Sequence, residues 1–255
     1  AQMGDLKIIL DEGVNKTFFH GELKNTPWIN QDENMILNRS NFASTIDINN
    51  YIYVIGGIDK NLDKIVGTFT FFDISFPKFG WITLIQELNI PRKDFKAVIA
   101  NDGIIYIIGG KNEAGEYLDS IESLNLNNIN NWWVDLGDKI KNYITGDIVD
   151  KNSKNKTIIN DISKNIQEGG WKLHTFTLNE KKSNFGLVKT DNDLVFIIGG
   201  ESLKDNLVVY LDSLERINLK DINNNNATNV IFKSLNNARS GLSAILIKNT
   251  IYAIG

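Results

Sequence analysis

The sequence predicts an all-β chain built from repeated four-stranded units, as in a propeller. First, apolar runs end in paired glycines, at Gly56-Gly57, Gly109-Gly110 and Gly199-Gly200, with a partial copy ending at Gly255. Second, Trp28, Trp81 and Trp171 each precede the first glycine of a pair by 28 residues. Third, no long stretch sustains a helical period. The repeat of about 53 residues is the size of a propeller blade.

Each full unit contains four strand-like segments, named a to d in chain order. The first unit has them at residues 41–48, 51–57, 67–74 and 80–86, and the second has them at 94–100, 104–110, 118–126 and 131–136. The c segments at 117–126 and 210–219 alternate apolar and polar residues, as strands with one covered face do. The glycine pairs fall at the end of strand b, where positive φ or a close backbone approach needs glycine.

The third unit is irregular, because Trp133 precedes Gly146 by only 13 residues. We interpret residues 143–147 as a degraded b strand, and either an inner strand is lost or about 15 residues are missing. The second reading is favoured, because a lost inner strand leaves unpaired edges. The predicted single domain has units near 41–93, 94–137, 138–183 and 184–240, with residues 1–40 and 241–255 forming one composite unit that closes the ring.

Taken together, these residues resemble the kelch repeat. Its marks are an apolar run before Gly-Gly, a Tyr-like position in strand c and a Trp in strand d. The c position is Phe72, Leu124 or Ile217 here, and Pro91-Arg92 matches the Pro-Arg that kelch repeats carry between d and a. The chain departs from the pattern where Phe232 or Ile231 replaces Trp and where Asp147 follows Gly146. The resemblance implies a divergent kelch propeller over the whole chain.

Kelch propellers usually bind other proteins, and many present substrates to a cullin-3 ubiquitin ligase behind BTB and BACK domains. The Ile-, Asn- and Asp-rich style resembles poxvirus kelch proteins or those of other AT-rich genomes. The resemblance therefore implies a non-enzymatic, cytoplasmic recognition module, with a host–virus role as one setting. A cullin-3 link needs a BTB domain that these residues do not contain. The alternatives kept are a carbohydrate-active or sialate-mutarotase-like propeller and an actin-binding scaffold.

A binding surface is expected where the b–c and d–a loops open on one face of a propeller. The loops supply Arg39, Asn41, Lys60, Arg92, Asp94, Lys111, Asn112, Glu113, Lys182, Glu201, Ser202, Arg239 and Ser240. A ring of cations there suits a protein partner that presents an acidic peptide, because guanidinium groups clamp carboxylates. The alternative for Arg39, Arg92 and Arg239 is that they brace neighbouring blades.

The residues of this sequence give little support for a catalytic site or a cofactor site. The chain has no cysteine, so the copper–radical chemistry of kelch oxidases is excluded, and its two histidines have no metal-site spacing. No nucleophile elbow or phosphate-binding loop occurs. We expect no metal, no cofactor and no catalysis. A net charge of −4 and the lack of a long apolar run give no reason to expect a nucleic acid or membrane partner.

Overall fold

The computed structural model describes residues 38–75, 81–84, 87–127, 170–223, 227–232 and 235–255. Within these ranges the chain is almost entirely antiparallel β structure with one short helix, α1 (Leu219–Asn223). Nothing helical in the described part is long and apolar enough to cross a membrane.

The strands are numbered in chain order. The first part of the chain has β1 (Arg39–Ser40), β2 (Ala43–Ile46), β3 (Tyr51–Ile55), β4 (Ile58–Asp59), β5 (Lys64–Ile65), β6 (Phe69–Asp73) and β7 (Trp81–Leu84). The middle part has β8 (Lys96–Ile99), β9 (Ile104–Ile108), β10 (Ser120–Asn125) and β11 (Lys172–Thr177). The last part has β12 (Gly186–Lys189), β13 (Leu194–Ile198), β14 (Glu201–Lys204), β15 (Leu207–Tyr210), β16 (Leu214–Asn218), β17 (Val230–Ile231), β18 (Ser243–Ile247) and β19 (Thr250–Ile254).

Three four-stranded sheets follow one another along the chain, as the sequence predicts for blades. Blade 1 has the order β2-β3-β6-β7, blade 2 has β8-β9-β10-β11, and blade 3 has β12-β13-β16-β17. The described residues continue with β18 and β19, which pair as the predicted a and b strands of a further unit. Two small sheets lie in the loops: β14 and β15 follow the b strand of blade 3, and β4 and β5 follow the b strand of blade 1 and are joined by β1, which precedes strand a.

The apolar core lies between successive blades. One cluster joins blades 1 and 2, and a second joins blades 2 and 3. The second strands are therefore covered on both faces, which explains why the runs before the glycine pairs are continuously apolar. Trp171 has the packing role predicted for the repeat tryptophans, because its ring meets Phe69 of blade 1 edge-on with centroids 5.6 Å apart. Trp28, Trp132 and Trp133 lie outside the described residues.

The glycine pairs exist because the next blade approaches them closely. Gly109 and Gly110 have φ values of 61° and 104°. A Cβ on Gly109 would lie 2.8 Å from the carbonyl oxygen of Lys182, which itself accepts a hydrogen bond of 2.9 Å from the Gly110 N–H. Any side chain would therefore clash and be strained. The prediction that glycine is needed at the end of strand b is confirmed.

One predicted strand assignment is wrong. The sequence places the fourth strand of the second unit at 131–136 and assigns the segment after Trp171 to a third unit. Instead, β11 pairs with β10, with Ser123 opposite Lys172, so it is the outer strand of blade 2. The long connection between Asn125 and Lys172 displaces the strand in sequence without changing its place in the sheet. Residues 131–136, the predicted b strand at 143–147 and the N-terminal half of the composite unit lie outside the described residues.

Candidate functional site

The cation before strand a is buried in blade 2, where it binds groups of its own blade. Arg92 is 0% exposed, and its Nη1 donates to the carbonyl oxygens of Gly109 at 3.0 Å and Ser120 at 3.2 Å. Its Nη2 donates to Glu122 Oε1 at 2.6 Å. Glu122 also accepts the backbone N–H groups of Asn89 and Ile90. The pair thus fixes the d–a loop against the b and c strands.

Cations at the equivalent positions of the other units also bind carbonyl or carboxylate groups close to them. In blade 3, Lys182 is 1% exposed and its Nζ lies 2.8 Å from Glu215 Oε1 and 2.9 Å from Ser213 Oγ. In blade 1, Arg39 is buried and donates to the carbonyl oxygens of Gly56 and Thr68. Arg239 donates to the Gly255 carbonyl oxygen at 3.2 Å and is partly exposed.

The geometry corrects the expectation that Arg39, Arg92 and Lys182 contact a partner. Their charged groups are enclosed and already bound to backbone carbonyls or carboxylates, so they cannot reach a surface ligand. Burial lowers the pKa of Arg92, an effect that Glu122 opposes, and burial likewise lowers the pKa of Arg39 against the opposing charge of Asp59. The bracing alternative accounts for these three residues.

Two residues beyond each cation, the chain forms an inner arc made of Asn41, Asp94, Asn184 and Gly241. All four have left-handed φ values, between 52° and 67°. Each of the last three donates its backbone N–H to the carbonyl oxygen of the arc residue in the preceding blade, at 3.1, 3.0 and 2.9 Å. The arc therefore links four successive units by a continuous line of backbone hydrogen bonds.

The arc side chains border a small cavity. Asn41 Nδ2 donates to Asp94 Oδ1 at 2.6 Å, so the side chains of blades 1 and 2 are joined as well. The cavity measures about 170 Å³ and is lined by Asn41, Phe42, Asp94, Phe95, Lys96 and Asn184. Its lining combines polar residues with two phenylalanines, and its volume suits one side chain rather than a large ligand.

A polar cluster around Glu201 adjoins the arc at Asn184. Glu201 Oε1 lies 2.6 Å from Lys111 Nζ and 3.3 Å from Asn184 Nδ2, and Glu201 Oε2 accepts the Ser240 hydroxyl at 3.0 Å. Lys111 Nζ also lies 4.4 Å from the centroid of the Tyr117 ring. The cluster joins blade 2, blade 3 and the following unit, and the Lys111 and Glu201 side chains remain 19% and 13% exposed.

The charges of this cluster are stable at neutral pH. Burial alone would raise the pKa of Glu201, but hydrogen bonds from Lys111 and Ser240 outweigh it, and the pKa is lowered. Burial would lower the pKa of Lys111, but its bonds to Glu201 and Tyr117 raise it. Both groups are therefore ionised, and Lys111 is presented as part of an ion pair rather than as a free cation.

The remaining predicted site residues divide between exposed and structural positions. Lys60 is exposed in the turn after β4. Asn112 is held by Glu116, and Glu113 accepts the backbone N–H of Ile65 from blade 1 at 2.8 Å. Ser202 is buried. The structure thus brings Asn41, Asp94, Lys111, Glu201 and Ser240 together and leaves the others apart from them.

Sequence reasoning missed Asn184 and Tyr117 among the residues at this site. Asn184 was detectable, because it stands two residues after Lys182 just as Asp94 stands two after Arg92. Tyr117, whose hydroxyl lies 3.4 Å from Glu201 Oε1, follows no such pattern, because a lone tyrosine in a loop does not show what it faces. The hydroxyl of Ser183, a d–a loop residue that the sequence places on this face, lies at the same distance from Glu201 Oε1.

The described residues hold no group of three or more His, Asp or Glu side chains placed to bind a metal ion.

The kelch motif family model matches residues 93–132. Among solved structures, the kelch-type propeller protein YjhT matches with a TM-score of 0.53 and 16% identity over 84% of this chain. The chain has a kelch-type propeller fold. It covers 57% of the YjhT chain. No curated protein matches the sequence.

Proposed function

We propose that this kelch propeller is a non-enzymatic module that binds a protein partner on the face formed by its b–c and d–a loops. The observation that supports it is the meeting of the inner arc with the Glu201 cluster on that face. Four units contribute to this surface, and its small cavity is sized for one side chain. A surface assembled from several blades is suited to a peptide or loop that crosses them.

The partner chemistry that we propose differs from the acidic peptide that the sequence suggests. An acidic peptide was expected because of the cations, but Arg39, Arg92 and Lys182 are buried and Lys111 is paired with Glu201. What the surface offers is amide and carboxylate groups on the arc, with the Ser240 hydroxyl beside them in the Glu201 cluster. We therefore propose a partner segment that inserts a polar side chain between Asn41, Asp94 and Asn184.

The narrower role, substrate recognition for a cullin-3 ubiquitin ligase, is a proposal that rests on the kelch resemblance of the sequence. It requires a BTB domain in the same protein or in a bound protein. Co-purification of cullin-3 with the full-length protein tests it, and loss of that association on deleting a BTB domain is the expected result. Absence of cullin-3 from the complex would overturn this role without affecting partner binding by the propeller.

Affinity capture followed by mass spectrometry tests the proposed surface. The informative variant changes Asn41, Asp94 and Asn184 together to Gly, which removes the arc side chains but suits their left-handed backbone, as Gly241 does at the fourth position. Ile48→Ser is the control, because Ile48 is 96% exposed in the β2–β3 turn.

The expected result is a partner that the wild type and the control capture and the arc variant does not. Capture by all three proteins would show that the arc is not the binding surface. If only a glycan array gives a signal, and the arc variant loses it, the carbohydrate alternative replaces the protein partner.

A further inference from the structure

A hairpin projects from the same loop face in blade 3. It consists of β14 (Glu201–Lys204) and β15 (Leu207–Tyr210), joined by a two-residue turn at Asp205 and Asn206 with φ values of 50° and 61°. Positive φ at both central residues is the mark of a type I′ turn, which matches the twist of the strands it joins. The hairpin is therefore a locally well-defined structure and not an irregular loop.

The outer edge of β15 has unpaired backbone groups. Glu201 exchanges two backbone hydrogen bonds with Ser183, so its N–H and C=O point away from β15. Glu201 lies opposite Tyr210, and Leu203 lies opposite Val208. In an antiparallel ladder the groups of such alternate pairs point outward on both strands. The N–H and C=O of Val208 and Tyr210 thus face away from β14 and have no partner in the described part of the chain.

The side chains along this edge are apolar and exposed. Leu203, Val208 and Tyr210 share one face of the hairpin and are 49%, 58% and 65% exposed. Natural proteins normally protect such an edge with lysine, proline or a bulge, because it invites another strand. Residues 206–211 carry no charge and no proline. Both the unpaired backbone groups and the exposed apolar side chains of this edge therefore suit the addition of another strand.

The charged residues at the two ends of β15 favour one kind of added strand. The uncharged edge is bracketed by Asp205 at the tip and Asp212 at the base, both exposed. In an antiparallel pair with a second copy that sets Val208 opposite Tyr210, Asp212 lies opposite Asn206 and Asp205 lies opposite Ser213, so neither carboxylate gains a cation. Lys204 lies on β14, one strand further from the edge. A segment with alternating apolar residues and a basic residue at each end satisfies both carboxylates.

We infer that the β15 edge binds an extended segment of a partner protein as an added β-strand, in which alternate apolar residues lie against Val208 and Tyr210 and flanking Lys or Arg residues face Asp205 and Asp212. This inference rests on the proposed function, because the hairpin belongs to the same loop face. It adds the partner's backbone conformation and its sequence pattern, which the inner arc does not determine.

The test uses a fluorescent probe peptide, acetyl-Lys-Thr-Ile-Thr-Val-Thr-Ser-Lys-amide, titrated with the whole chain. In an antiparallel register its Ile and Val lie opposite Tyr210 and Val208, and its terminal lysines lie opposite Asp212 and Asp205. Three matched peptides serve as controls: one with Glu at both ends, and a pair N-methylated at either odd or even positions. The protein variants are Val208→Pro, which removes an outward N–H, and Asp205→Asn with Asp212→Lys, which reverses the charge while keeping a residue that tolerates the turn.

We expect the Lys-ended peptide to bind about threefold to tenfold more tightly than the Glu-ended one, from two exposed ion pairs. The charge variant should reverse this preference, and only one of the two N-methylation patterns should abolish binding. Loss with Val208→Pro supports the strand edge, and the charge variant keeps the test valid if proline disturbs the hairpin. Equal binding by all variants, or no binding of any peptide, overturns the inference.

Two further results separate this inference from the proposed function. Retention of peptide binding by the inner-arc glycine variant is expected, because the arc does not form the edge. Partner capture that depends on the arc but not on the hairpin variants would leave the proposed function standing and overturn the strand addition. Concentration-dependent dimerisation by light scattering, abolished by Val208→Pro, would replace the peptide with a second copy.

Discussion

Blades 1 and 2 have the same backbone frame and different interiors. In both, the first glycine of the pair donates its N–H to strand c, and the cation two residues before the inner arc binds that glycine's carbonyl. Yet Glu122 of blade 2 is replaced by Thr70 in blade 1, as the strand pairing shows. The comparison teaches that both blades share the same backbone hydrogen bonds, whereas the buried ion pair is only one of the ways in which the interior of a blade can be packed.

The difference leaves Arg39 partly unsatisfied. In blade 2, each of the three donor nitrogens of Arg92 has an acceptor. In blade 1, Nε and Nη2 of Arg39 have no hydrogen-bond partner among the described residues. Thr70 donates its hydroxyl to the Val54 carbonyl instead of reaching Arg39. Blade 1 therefore holds a buried cation with no hydrogen-bonded carboxylate like Glu122, and only the nearby charge of Asp59 opposes its burial.

The contacts between the third and outer strands also differ, because they are polar in blade 2 and apolar in blade 1. Blade 2 has a buried hydrogen bond of 2.8 Å between Ser123 Oγ and His174 Nε2. The equivalent positions of blade 1 are Phe71 and Leu84, both buried and apolar. Phe71 lies in an aromatic cluster with Tyr51, Tyr53 and Phe69. Blade 1 is thus stabilised mainly by apolar packing, and blade 2 relies on paired polar groups.

The largest expected effect comes from breaking the ion pair of blade 2. Glu122→Ala leaves the charge of Arg92 buried and unpaired and removes the acceptor for two backbone N–H groups, so we expect a loss of about 3–5 kcal/mol in the free energy of unfolding. Thr70→Ala, the matched change in blade 1, should cost only about 1 kcal/mol, since one hydrogen bond is lost. Urea denaturation measures both, and equal losses would refute the contrast.

An intermediate effect is expected from acid. Burial, with the nearby charge of Lys172, lowers the pKa of His174 to about 4. The unfolded chain binds the proton near pH 6.5, so between these values the unfolded state holds more protons and stability falls as pH falls. We expect a loss on the order of 2 kcal/mol between pH 7 and pH 4.5 that is traceable to this residue.

Replacing the polar pair by apolar residues checks the assignment. The double variant Ser123→Ala with His174→Leu should unfold with a much weaker dependence on pH in that window. His20→Gln, which changes the only other histidine, is the control. If the control removes the pH dependence and the double variant does not, the acid sensitivity belongs elsewhere.

The smallest effect is expected at Arg39. Arg39→Met gives up two hydrogen bonds to carbonyls but also relieves the cost of burying a charge that has no hydrogen-bonded carboxylate, so the change in unfolding free energy should stay within about 1 kcal/mol. Arg92→Met should instead cost about 3–5 kcal/mol, because Glu122 is then buried alone. The ratio of the two losses, measured under the same conditions, sharpens the comparison; similar losses would contradict it.

Much of the fold could be predicted because it depends on local pattern. The glycine pairs, the apolar b strands and the 28-residue spacing from Trp to Gly each reflect a backbone constraint that recurs in every blade. The outer strand of blade 2 could not be placed, because the connection before it contains Trp133 and Gly146, which imitate the repeat signals. The spacing of these two residues predicts a separate unit, whereas the pairing of β11 with β10 places β11 in blade 2.

The candidate site was predicted only in part. Position relative to the glycine pairs identified Asn41, Asp94, Lys111 and Glu201, but the same position suggested that Arg92 and Lys182 were available to a ligand. Their burial depends on the carboxylates Glu122 and Glu215, which lie 30 and 33 residues further along the chain. Long-range pairing of this kind leaves no local pattern to read.

By itself, the sequence determined the repeated strand-and-glycine frame of this chain, because strands and tight turns depend on the conformational limits of nearby residues. Only the tertiary structure decided which charges are enclosed and which are presented, because burial depends on how blades stack. The inner arc, the Glu201 cluster and the open edge of β15 all arise where separate segments meet, and these junctions determine what the propeller can bind.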